Sequence, residues 1–420
     1  MWYLPPQNVK NINKHTVLDL IRFSPGGIAR VEIARRMNLT RAAVTAIVSD
    51  LLTTGIIREA GGINVRSGRP PVVLEIDPTR GFVIGIDFGA SHLSILMGDL
   101  GANILGENEI SININDGPNT CLDQANHLLH DLLVKSGREL HDILAIGVGV
   151  PGPIVSAAGM VLAPPIMPGW DQFPIRDTLE KMWGCPVSLS NDSELGVLGE
   201  WAAGAGRGEQ YLAYIKIGTG IGAGLLLDGQ IYRGVTGSAG EIGHLTIDEN
   251  GPLCECGNHG CLEAIAGGRA IAQQAQEAVR KGQRTQLASI KPVEVITARD
   301  VAAAAQLGDL AAQQILTRAG TYVGIAIAGL VNMFNPGMVI IGGGVAQSGD
   351  ILLEPIRLAV QRRSLPAATR IVRITTAMLG RRSSSMGAII QAITIASRQV
   401  AERKEVMIKA KALDKSPMMI

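Results

Sequence analysis

One histidine and three cysteines lie close together in the segment from residue 241 to 263, which reads E-I-G-H-L-T-I-D-E-N-G-P-L-C-E-C-G-N-H-G-C-L-E. The three cysteines fall within eight residues, a spacing that favours a metal site over disulfides where no export signal is evident. One imidazole and three thiolates are the ligands of a closed tetrahedral zinc site. We therefore predict a structural zinc loop held by His244, Cys254, Cys256 and Cys261. The alternative is a glycine-rich turn whose thiols share no ligand.

Acidic residues flank this loop at Glu241 and Glu263, and a further polar pair, Asn191-Asp192, lies earlier in the chain. That pair follows a predicted strand at 186–189 and begins an apolar helix, which is the position where an open α/β cleft binds its ligand. Carboxylates held beside a metal-anchored loop suit hydrogen bonds to several hydroxyl groups, so the pattern predicts a sugar site. The alternative for Asp192 is a helix N-cap without a ligand.

Three apolar segments that end in glycine-rich turns predict strands whose turns can present backbone N–H groups to phosphate. They run from Phe82 to Gly89, from Tyr214 to Gly224 and from Ile340 to Val345. Each is a weak signal alone, because glycine also permits plain tight turns. Their order along the chain predicts a duplicated α/β unit with a cleft between its two halves.

The first eighty residues have the pattern of three short helices joined by tight turns. The first predicted helix covers 16–23, the second contains Ile33 and Met37, and Thr40 caps the third. The apolar residues of the third helix recur at helical spacing on one face: Val44, Ile47, Val48, Leu51 and Leu52. This pattern is typical of a helix-turn-helix whose last helix enters the major groove, with Thr40, Arg41 and Thr45 as predicted DNA contacts. The alternative is a winged helix that binds protein.

Basic residues follow the hairpin that is predicted around Gly61-Gly62. Arg66 and Arg69 surround a glycine on an extended backbone, which suits a narrow A·T minor groove, although a basic interdomain linker is the alternative. Residues 1–80 carry 11 Lys and Arg against 6 Asp and Glu, whereas the remaining 340 carry 27 against 31. A basic module on a mildly acidic body is a weak indication of nucleic-acid binding.

Length and composition indicate a globular protein of about two or three domains. Aromatic residues make up only 3% of the chain and hydrophobic residues 46%, so the cores must be aliphatic and alanine-rich. The opening Met-Trp-Tyr-Leu-Pro-Pro lacks the basic start and long apolar run of a secretory signal, which predicts a cytoplasmic location.

The uncharged segment from Ala319 to Gly349 is long enough to cross a membrane. Asn335-Pro336-Gly337 divides it into a predicted buried helix and a short strand, so no membrane span is expected.

Taken in order, these motifs resemble the ROK family, named for repressors, open reading frames and kinases, and within it the transcriptional regulators of the NagC, Mlc and xylose-repressor type. The resemblance extends from about Asn8 to Ala396, and its most specific parts are G-x-x-C-x-C-G-x-x-G-C-L-E at 251–263 and E-x-G-H at 241–244. It implies a winged helix-turn-helix followed by an actin-like ATPase fold, with two α/β lobes around a sugar cleft. The expected domains are the winged helix-turn-helix at 1–80, a first lobe at 81–190, a second lobe at 191–400 whose last helix returns to the first lobe, and a tail at 401–420.

The resemblance also implies roles for particular residues. Family kinases hold the sugar with an Asn-Asp pair, the E-x-G-H residues and the glutamate that closes the zinc motif. These positions correspond to Asn191, Asp192, Glu241, His244 and Glu263. Asp192 matches the general base that accepts a proton from the attacking hydroxyl group, a catalytic role that applies only if kinase activity is retained.

The ATP-binding turns of family kinases have counterparts in this chain: Asp87, Gly89, Gly218, Thr219, Gly220, Gly342, Gly343 and Gly344. Kinases usually have D-x-G-G-T-K or D-x-G-G-T-T at the first turn, whereas this chain has Asp87-Phe88-Gly89-Ala90-Ser91-His92. Ala90 places a methyl group where bare backbone would approach phosphate. The first turn is therefore weakened, while the second is intact.

These implications favour a sugar-responsive repressor of carbohydrate-utilisation genes. We expect a homodimer or homotetramer that binds operator DNA, and a monosaccharide effector that changes its affinity for DNA. Zn²⁺ is the expected structural cofactor. The alternative is an ATP-dependent sugar kinase that uses ATP and Mg²⁺ and carries an accessory DNA-binding domain. A third hypothesis is a regulator that docks on another protein rather than on a sugar.

Overall fold

The N-terminal part of the molecule is a three-helix unit with a small sheet. The computed structural model describes residues 9–24, 26–61, 72–155, 158–162, 164 and 167–413. This unit contains α1 (Val9–Arg22), β1 (Ile28–Ala29), α2 (Arg30–Met37), α3 (Arg41–Thr54), β2 (Ile57–Gly61) and β3 (Val72–Ile76). The strands form an antiparallel sheet in the order β1-β3-β2. The predicted winged helix-turn-helix is confirmed, and β1 adds a short strand that the sequence did not predict.

Helix α3 begins and ends where its sequence predicts. The Thr40 side chain accepts a hydrogen bond of 3.2 Å from the backbone N–H of Ala43, and Gly55 ends the helix in the left-handed conformation at φ 74°. Val44 and Val48 are fully buried in the core that α3 shares with α1 and α2. One face of α3 is therefore anchored, and the opposite face is left for solvent.

The first lobe is an α/β layer around a five-stranded sheet. Its elements are β4 (Phe82–Phe88), β5 (His92–Asp99), β6 (Ile104–Ser111), α4 (Pro118–Ser136), β7 (Ile143–Val150), β8 (Ile154–Val155), β9 (Met160–Val161), α5 (Ile175–Trp183) and β10 (Val187–Asn191). The sheet order is β10-β7-β4-β5-β6. On one side of β4 the strands are antiparallel, and on the other side β7 and β10 are parallel to it.

The second lobe repeats this topology. Its elements are α6 (Asp192–Ala203), β11 (Leu212–Ile217), β12 (Ile221–Leu227), β13 (Gln230–Ile231), α7 (Leu262–Ala266), α8 (Gly268–Arg280), α9 (Leu287–Ile290), α10 (Ala298–Gln306), α11 (Leu310–Phe334), β14 (Met338–Gly342), α12 (Asp350–Arg363), α13 (Pro366–Thr369), β15 (Arg373–Thr376) and α14 (Ser383–Leu413). The sheet order is β13-β12-β11-β14-β15, with β12 and β13 antiparallel and β14 and β15 parallel. In both sheets, therefore, the antiparallel pairs lie on one side of the central strand and the parallel pairs on the other. This shared arrangement confirms the predicted duplicated α/β unit.

The second predicted glycine turn has a different structure from the one expected. The segment from Tyr214 to Gly224 is not one strand ending in glycines, because β11 and β12 pair antiparallel with Ile217 opposite Ile221. Gly218, Thr219 and Gly220 form the tight turn between them. Glycine permits a chain reversal within an apolar segment, and the spacing of apolar residues alone does not distinguish one strand from two.

Helix α11 is an apolar helix of the second core. Of the helices that the structure describes, it is the one that by length and composition could cross a membrane. It packs closely along α12, and its buried residues belong to the core of the second lobe. The helix ends at Phe334, Asn335 takes the left-handed conformation at φ 45°, and β14 follows. The predicted buried helix and short strand are therefore confirmed.

Helix α14 connects the lobes and the N-terminal unit. It packs on β4 and β7 of the first sheet and along α6, and it continues to Leu413, past the predicted domain end at 400. Ile389 and Ile393 on this helix share one core with Val17 and Leu18 of α1. The helix-turn-helix is thus joined to the body by a common apolar core.

The crossing of α6 and α14 is close enough to require glycine on α14. A Cβ atom on Gly387 would overlap the carbonyl oxygen of Leu195, which is a backbone atom that cannot move aside by a rotamer change. We expect Gly387→Ala to lower the free energy of unfolding by about 1–3 kcal/mol, the typical cost of overpacking a core. Gly329→Ala is the matched control, because Gly329 is an exposed glycine in α11 with nothing within 4 Å of its Cβ position.

The control variant should be neutral or stabilised by up to about 1 kcal/mol, since alanine is the better helix former. Urea unfolding of both variants followed by circular dichroism measures the difference. Equal stability of the two variants would show that the α6–α14 crossing does not depend on its close approach.

Candidate functional site

A single large cleft gathers most of the residues that the sequence predicts to be functional. It has a volume of about 890 Å³, which is within the range of small-molecule sites. The predicted residues that line it are Asp87, Gly89, Asn191, Asp192, Gly218, Thr219, Gly220, Glu241, His244, Glu263, Gly343 and Gly344. Of the predicted nucleotide residues, Gly342, which is the last residue of β14, is not among the lining residues. Three glycine turns and the acidic residues therefore face one space, although they are far apart in sequence.

The four predicted metal ligands form a compact cluster beside this cleft. One ligand atom from each of His244, Cys254, Cys256 and Cys261 lies within 4.8 Å of all the others. The Cys256 and Cys261 sulfur atoms are 3.7 Å apart, and the His244 Nδ1 atom is 3.7 Å from the Cys254 sulfur. Tetrahedral coordination with Zn–S bonds of about 2.3 Å would separate sulfur atoms by roughly 3.8 Å. The cluster thus has the donor atoms and the spacing to bind one metal ion.

Local hydrogen bonds fold the loop so that these ligands meet. The Cys254 N–H donates to the Asn258 carbonyl at 2.7 Å, and the Gly257 N–H donates to the Cys254 carbonyl at 2.9 Å. Gly260 lies at φ 64°, and its backbone carbonyl accepts from Ile247 at 2.8 Å. These turns return the chain to Cys261, which immediately precedes α7. Glu263, the last residue of the segment, is thereby placed in the first turn of that helix.

The Asn191-Asp192 pair begins α6, and its two members do different things. The Asn191 side-chain oxygen caps the helix by accepting from the Ser193 N–H at 2.8 Å, and its amide donates to the Gly152 carbonyl at 3.0 Å. Asn191 is therefore the N-cap, and the alternative that Asp192 serves this purpose is wrong. The Asp192 carboxylate is instead directed to Lys216, with an Oδ2–Nζ distance of 2.9 Å.

Lys216 is a residue of the cleft that the sequence motifs do not predict. It lies in β11 with its side chain 14% exposed, and its Nζ atom is also 3.5 Å from Asp87 Oδ2. Burial alone would lower the pKa of Lys216, but Asp192 and Asp87 outweigh it and raise the pKa above its usual value. Burial would in turn raise the pKa of Asp87, but Lys216 and His92 hold it below its usual value. The sequence offers one signal for this residue, which is a lysine inside the otherwise apolar segment Tyr214–Ile217.

The remaining acidic residues converge on the side of the cleft next to the metal cluster. Glu263 Oε2 accepts a hydrogen bond of 2.8 Å from the Ile221 N–H, and a Cβ on Gly220 would overlap this carboxylate. Burial, together with the negative charges of Asp192, Glu263 and Glu194, raises the pKa of Glu241 to about 7. The His244 Nε2 atom lies 3.9 Å from Glu241 Oε2. The histidine thus faces the metal cluster with one nitrogen and the carboxylates of the cleft with the other.

This arrangement suits a neutral ligand with several hydroxyl groups. Carboxylate oxygens accept hydrogen bonds from hydroxyl groups, and a charged acceptor makes a stronger bond than a neutral one. An anionic group placed beside Asp192 and Glu263 would meet repulsion from their carboxylates.

The predicted DNA contacts lie on the solvent side of α3. Thr40, Arg41 and Thr45 are exposed, and Arg41 makes no ion pair with any residue in the described part of the chain. The Thr45 hydroxyl donates to the Arg41 carbonyl at 2.8 Å. The other two predicted contacts, Arg66 and Arg69, lie outside the described residues.

Comparison with known proteins places this site in a family. The sequence model of the ROK family matches residues 83–395. A putative xylose repressor from Caldicellulosiruptor sp. (strain Rt8B.4) is 32% identical over 387 residues, covering 92% of this chain and 96% of the relative.

Two solved structures have the same fold. A ROK family transcriptional regulator, described as a homolog of E. coli MLC, superposes with a TM-score of 0.80 at 28% identity and covers 94% of this chain and all of its own. A ROK family glucokinase from Streptomyces griseus, solved with glucose and AMPPNP, gives a TM-score of 0.67 at 28% identity and covers 74% of this chain and 99% of its own. The regulator therefore matches more of this chain than the kinase does.

Proposed function

This chain belongs to the ROK family, and we propose that it is a DNA-binding repressor of carbohydrate-utilisation genes that responds to a monosaccharide in the cleft. The observation that carries the proposal is the apolar core that joins the helix-turn-helix to α14 and so to the lobe that lines the cleft. Similarity to a putative xylose repressor over nine-tenths of the chain supports the DNA-binding role. It also makes xylose the first sugar to test.

Helix α6 offers a direct physical connection between sugar and DNA. It begins at Asp192 in the cleft, and near its other end Trp201 packs against Phe23 with ring centroids 4.7 Å apart. Phe23 immediately follows α1, and Arg22 donates from Nη1 to the Thr394 hydroxyl of α14 at 2.6 Å. A sugar that shifts the start of α6 would therefore move the surface on which the helix-turn-helix rests.

We infer that the ion held by the cysteine cluster is Zn²⁺. Three thiolates and one imidazole favour zinc over magnesium, calcium or manganese, which prefer oxygen ligands. Four protein ligands leave no open position, so the ion is structural. Its role is to order the loop that carries His244 and Glu263, and thereby the hydrogen-bond acceptors of the sugar site.

On the DNA side, we propose that two copies of this chain bind the two halves of a pseudopalindromic operator in the cytoplasm. Helix-turn-helix proteins commonly bind as dimers with one recognition helix in each half-site. Here α3 would enter the major groove with Thr40, Arg41 and Thr45, and the segment with Arg66 and Arg69 would contact the minor groove.

Sugar kinase activity is the weaker candidate. Phosphoryl transfer needs a carboxylate that is free to accept the proton of the attacking hydroxyl group. The Asp192 carboxylate, which is the residue in that position, is paired with Lys216. We therefore assign the acidic residues of the cleft to sugar binding rather than to catalysis.

The proposal is tested by measuring how sugars change operator affinity. The full chain, loaded with zinc, selects its operator from a pool of random DNA duplexes, and fluorescence anisotropy then gives its affinity with and without xylose, glucose or N-acetylglucosamine. A repressor of this kind should lose about 5–150-fold in operator affinity with its effector, equivalent to about 1–3 kcal/mol of coupling. Selection of no preferred duplex, or an affinity that none of the sugars changes, would contradict the proposal.

Arg41 should contribute directly to operator binding. We expect Arg41→Ala to weaken binding by about tenfold or more, because an arginine contact with base or phosphate is typically worth about 1–3 kcal/mol. Arg284→Ala is the matched control, since Arg284 is an exposed arginine on the second lobe. Anisotropy titrations at several salt concentrations measure both variants. If the two variants lose the same affinity, the assignment of α3 to the DNA is wrong.

A further inference from the structure

Lys216 connects three separate elements at the base of the cleft. Its Nζ atom is 2.9 Å from Asp192 Oδ2 at the start of α6 and 3.5 Å from Asp87 Oδ2 in β4. It also donates to the Ser384 hydroxyl of α14 at 3.2 Å. The Asp87 side chain is 1% exposed, and those of Lys216 and Asp192 are both 14% exposed. The ammonium group is therefore held between two carboxylates from different parts of the fold.

Two ionised carboxylates at this separation are stabilised by a cation between them. Each lies within 3.5 Å of the same Nζ atom, and like charges so close and so well buried would otherwise destabilise each other's ionised form. One common solution is Mg²⁺, which proteins hold with one or two carboxylates together with the phosphate oxygens of a nucleotide. The other is a compact ammonium group on a side chain. In this chain the cation is the ammonium group of Lys216.

The adjacent glycine turn is also closed to phosphate. His92 Nε2 lies 3.3 Å from Asp87 Oδ2, and its ring lies against Gly89 where a Cβ would overlap it. The Gly89 N–H donates to the His92 carbonyl at 2.8 Å, so this backbone donor is engaged within the turn. A phosphate group would have to displace the imidazole ring. The residues present here therefore do not fit Mg²⁺ and ATP.

We propose that Lys216 is a tethered cation that takes the position of a divalent metal ion in this cleft, so that the cleft binds an uncharged polyhydroxyl ligand without metal or nucleotide. Lys216 acts as a positioning residue, because its Nζ atom, 2.9 Å from Asp192 Oδ2, holds that carboxylate in place. The sugar's hydroxyl groups would then meet a preformed acceptor. This inference rests on the sugar-binding function proposed above.

The test is a titration of Mn²⁺, an ion that accepts oxygen ligands and is detected directly by its paramagnetic resonance signal. The full chain is used with zinc on its cysteine cluster, without sugar, nucleotide or DNA. The wild-type protein should show no Mn²⁺ site in the cleft. Lys216→Met should create one site, with an affinity at least about tenfold above any residual Mn²⁺ binding by the wild-type protein.

A second substitution shows where the new site is. Asp87 Oδ1 is buried and has no hydrogen-bond partner among the described residues, so Asp87 can offer both oxygens once the lysine is gone. Adding Asp87→Asn to Lys216→Met should therefore abolish Mn²⁺ binding. Lys291→Met is the matched control, because Lys291 lines the same cleft but is paired with Asp300 at 2.8 Å. It should behave as the wild-type protein does.

Lys216→Gln is a second variant that keeps a hydrogen-bond donor without the charge. It is used if the Lys216→Met protein does not fold. The proposal predicts that Mn²⁺ raises the thermal midpoint of either variant more than that of the wild-type protein. It is overturned if the wild-type protein binds Mn²⁺ as tightly as Lys216→Met does, or if both variants fold and gain no site. It is also overturned if neither folds even with Mn²⁺, because a replaceable cation predicts rescue. Since neither sugar nor DNA is present, these outcomes are independent of whether the protein is a repressor.

Discussion

Cys256→Ser should weaken sugar binding by about tenfold or more and lower the midpoint of thermal unfolding. A serine hydroxyl is a poor replacement for a zinc-bound thiolate, so the variant should bind less than one zinc ion per chain. Without the ion, only the hydrogen bonds of the loop would hold the Cys254 and His244 donors, which lie 3.7 Å apart. The loop would then no longer fix Glu263, whose carboxylate contacts the turn at Gly220 and Ile221.

Cys185→Ser is the matched control for this prediction. Cys185 is likewise half-buried, but it packs against the core of the first lobe, away from the cluster. Elemental analysis gives the zinc content of both variants, and isothermal titration calorimetry gives their sugar affinities. A Cys256→Ser protein that lacks zinc but binds sugar as the wild-type protein does would show that the metal has no part in ordering the sugar site.

The parts of the site that the sequence predicts best are those made by residues close together in the chain. Cys254, Cys256 and Cys261 are separated by at most seven positions, and their loop is closed by its own turns. Thr40 caps α3 within the same local segment. A metal-binding loop or a helix cap depends on residue spacing within one short segment, so the residue types and their spacing are sufficient to predict it.

Lys216 could not be assigned in this way, because its partners are distant in sequence. Asp192 lies 24 residues away and Ser384 lies 168 residues away, and only the meeting of both sheets with α14 brings them together. His92 is a different case, because it lies only three residues after Gly89. The departure from the kinase pattern is visible at Ala90 and Ser91, but the sequence does not show that the His92 imidazole ring lies over Gly89. The sequence motifs predict the cleft, whereas the pairing of charges within it depends on contacts that only the folded structure shows.

Asp192→Asn should remove most of the sugar affinity. The substitution keeps the volume of the side chain but replaces a charged acceptor by a neutral amide, and a hydrogen bond to a charged group is worth about 1.5–3 kcal/mol. We therefore expect sugar binding to weaken by about 10–100-fold. The variant should remain on its operator at sugar concentrations that release the wild-type protein, because the effector can change DNA affinity only as far as it binds.

The matched control is Asp300→Asn, which alters a second aspartate of the same cleft. Asp300 lies in the first turn of α10, and its carboxylate is engaged by Thr297 and Lys291 rather than by Lys216. Calorimetry with the effector and anisotropy with the operator should both show wild-type behaviour for Asp300→Asn. The opposite ranking would place the sugar beside α10. The Asp192→Asn protein could instead bind sugar more weakly but still dissociate from the operator at saturating sugar. Sugar binding and operator release would then be separable. The start of α6 would then hold the sugar without transmitting its presence to the helix-turn-helix.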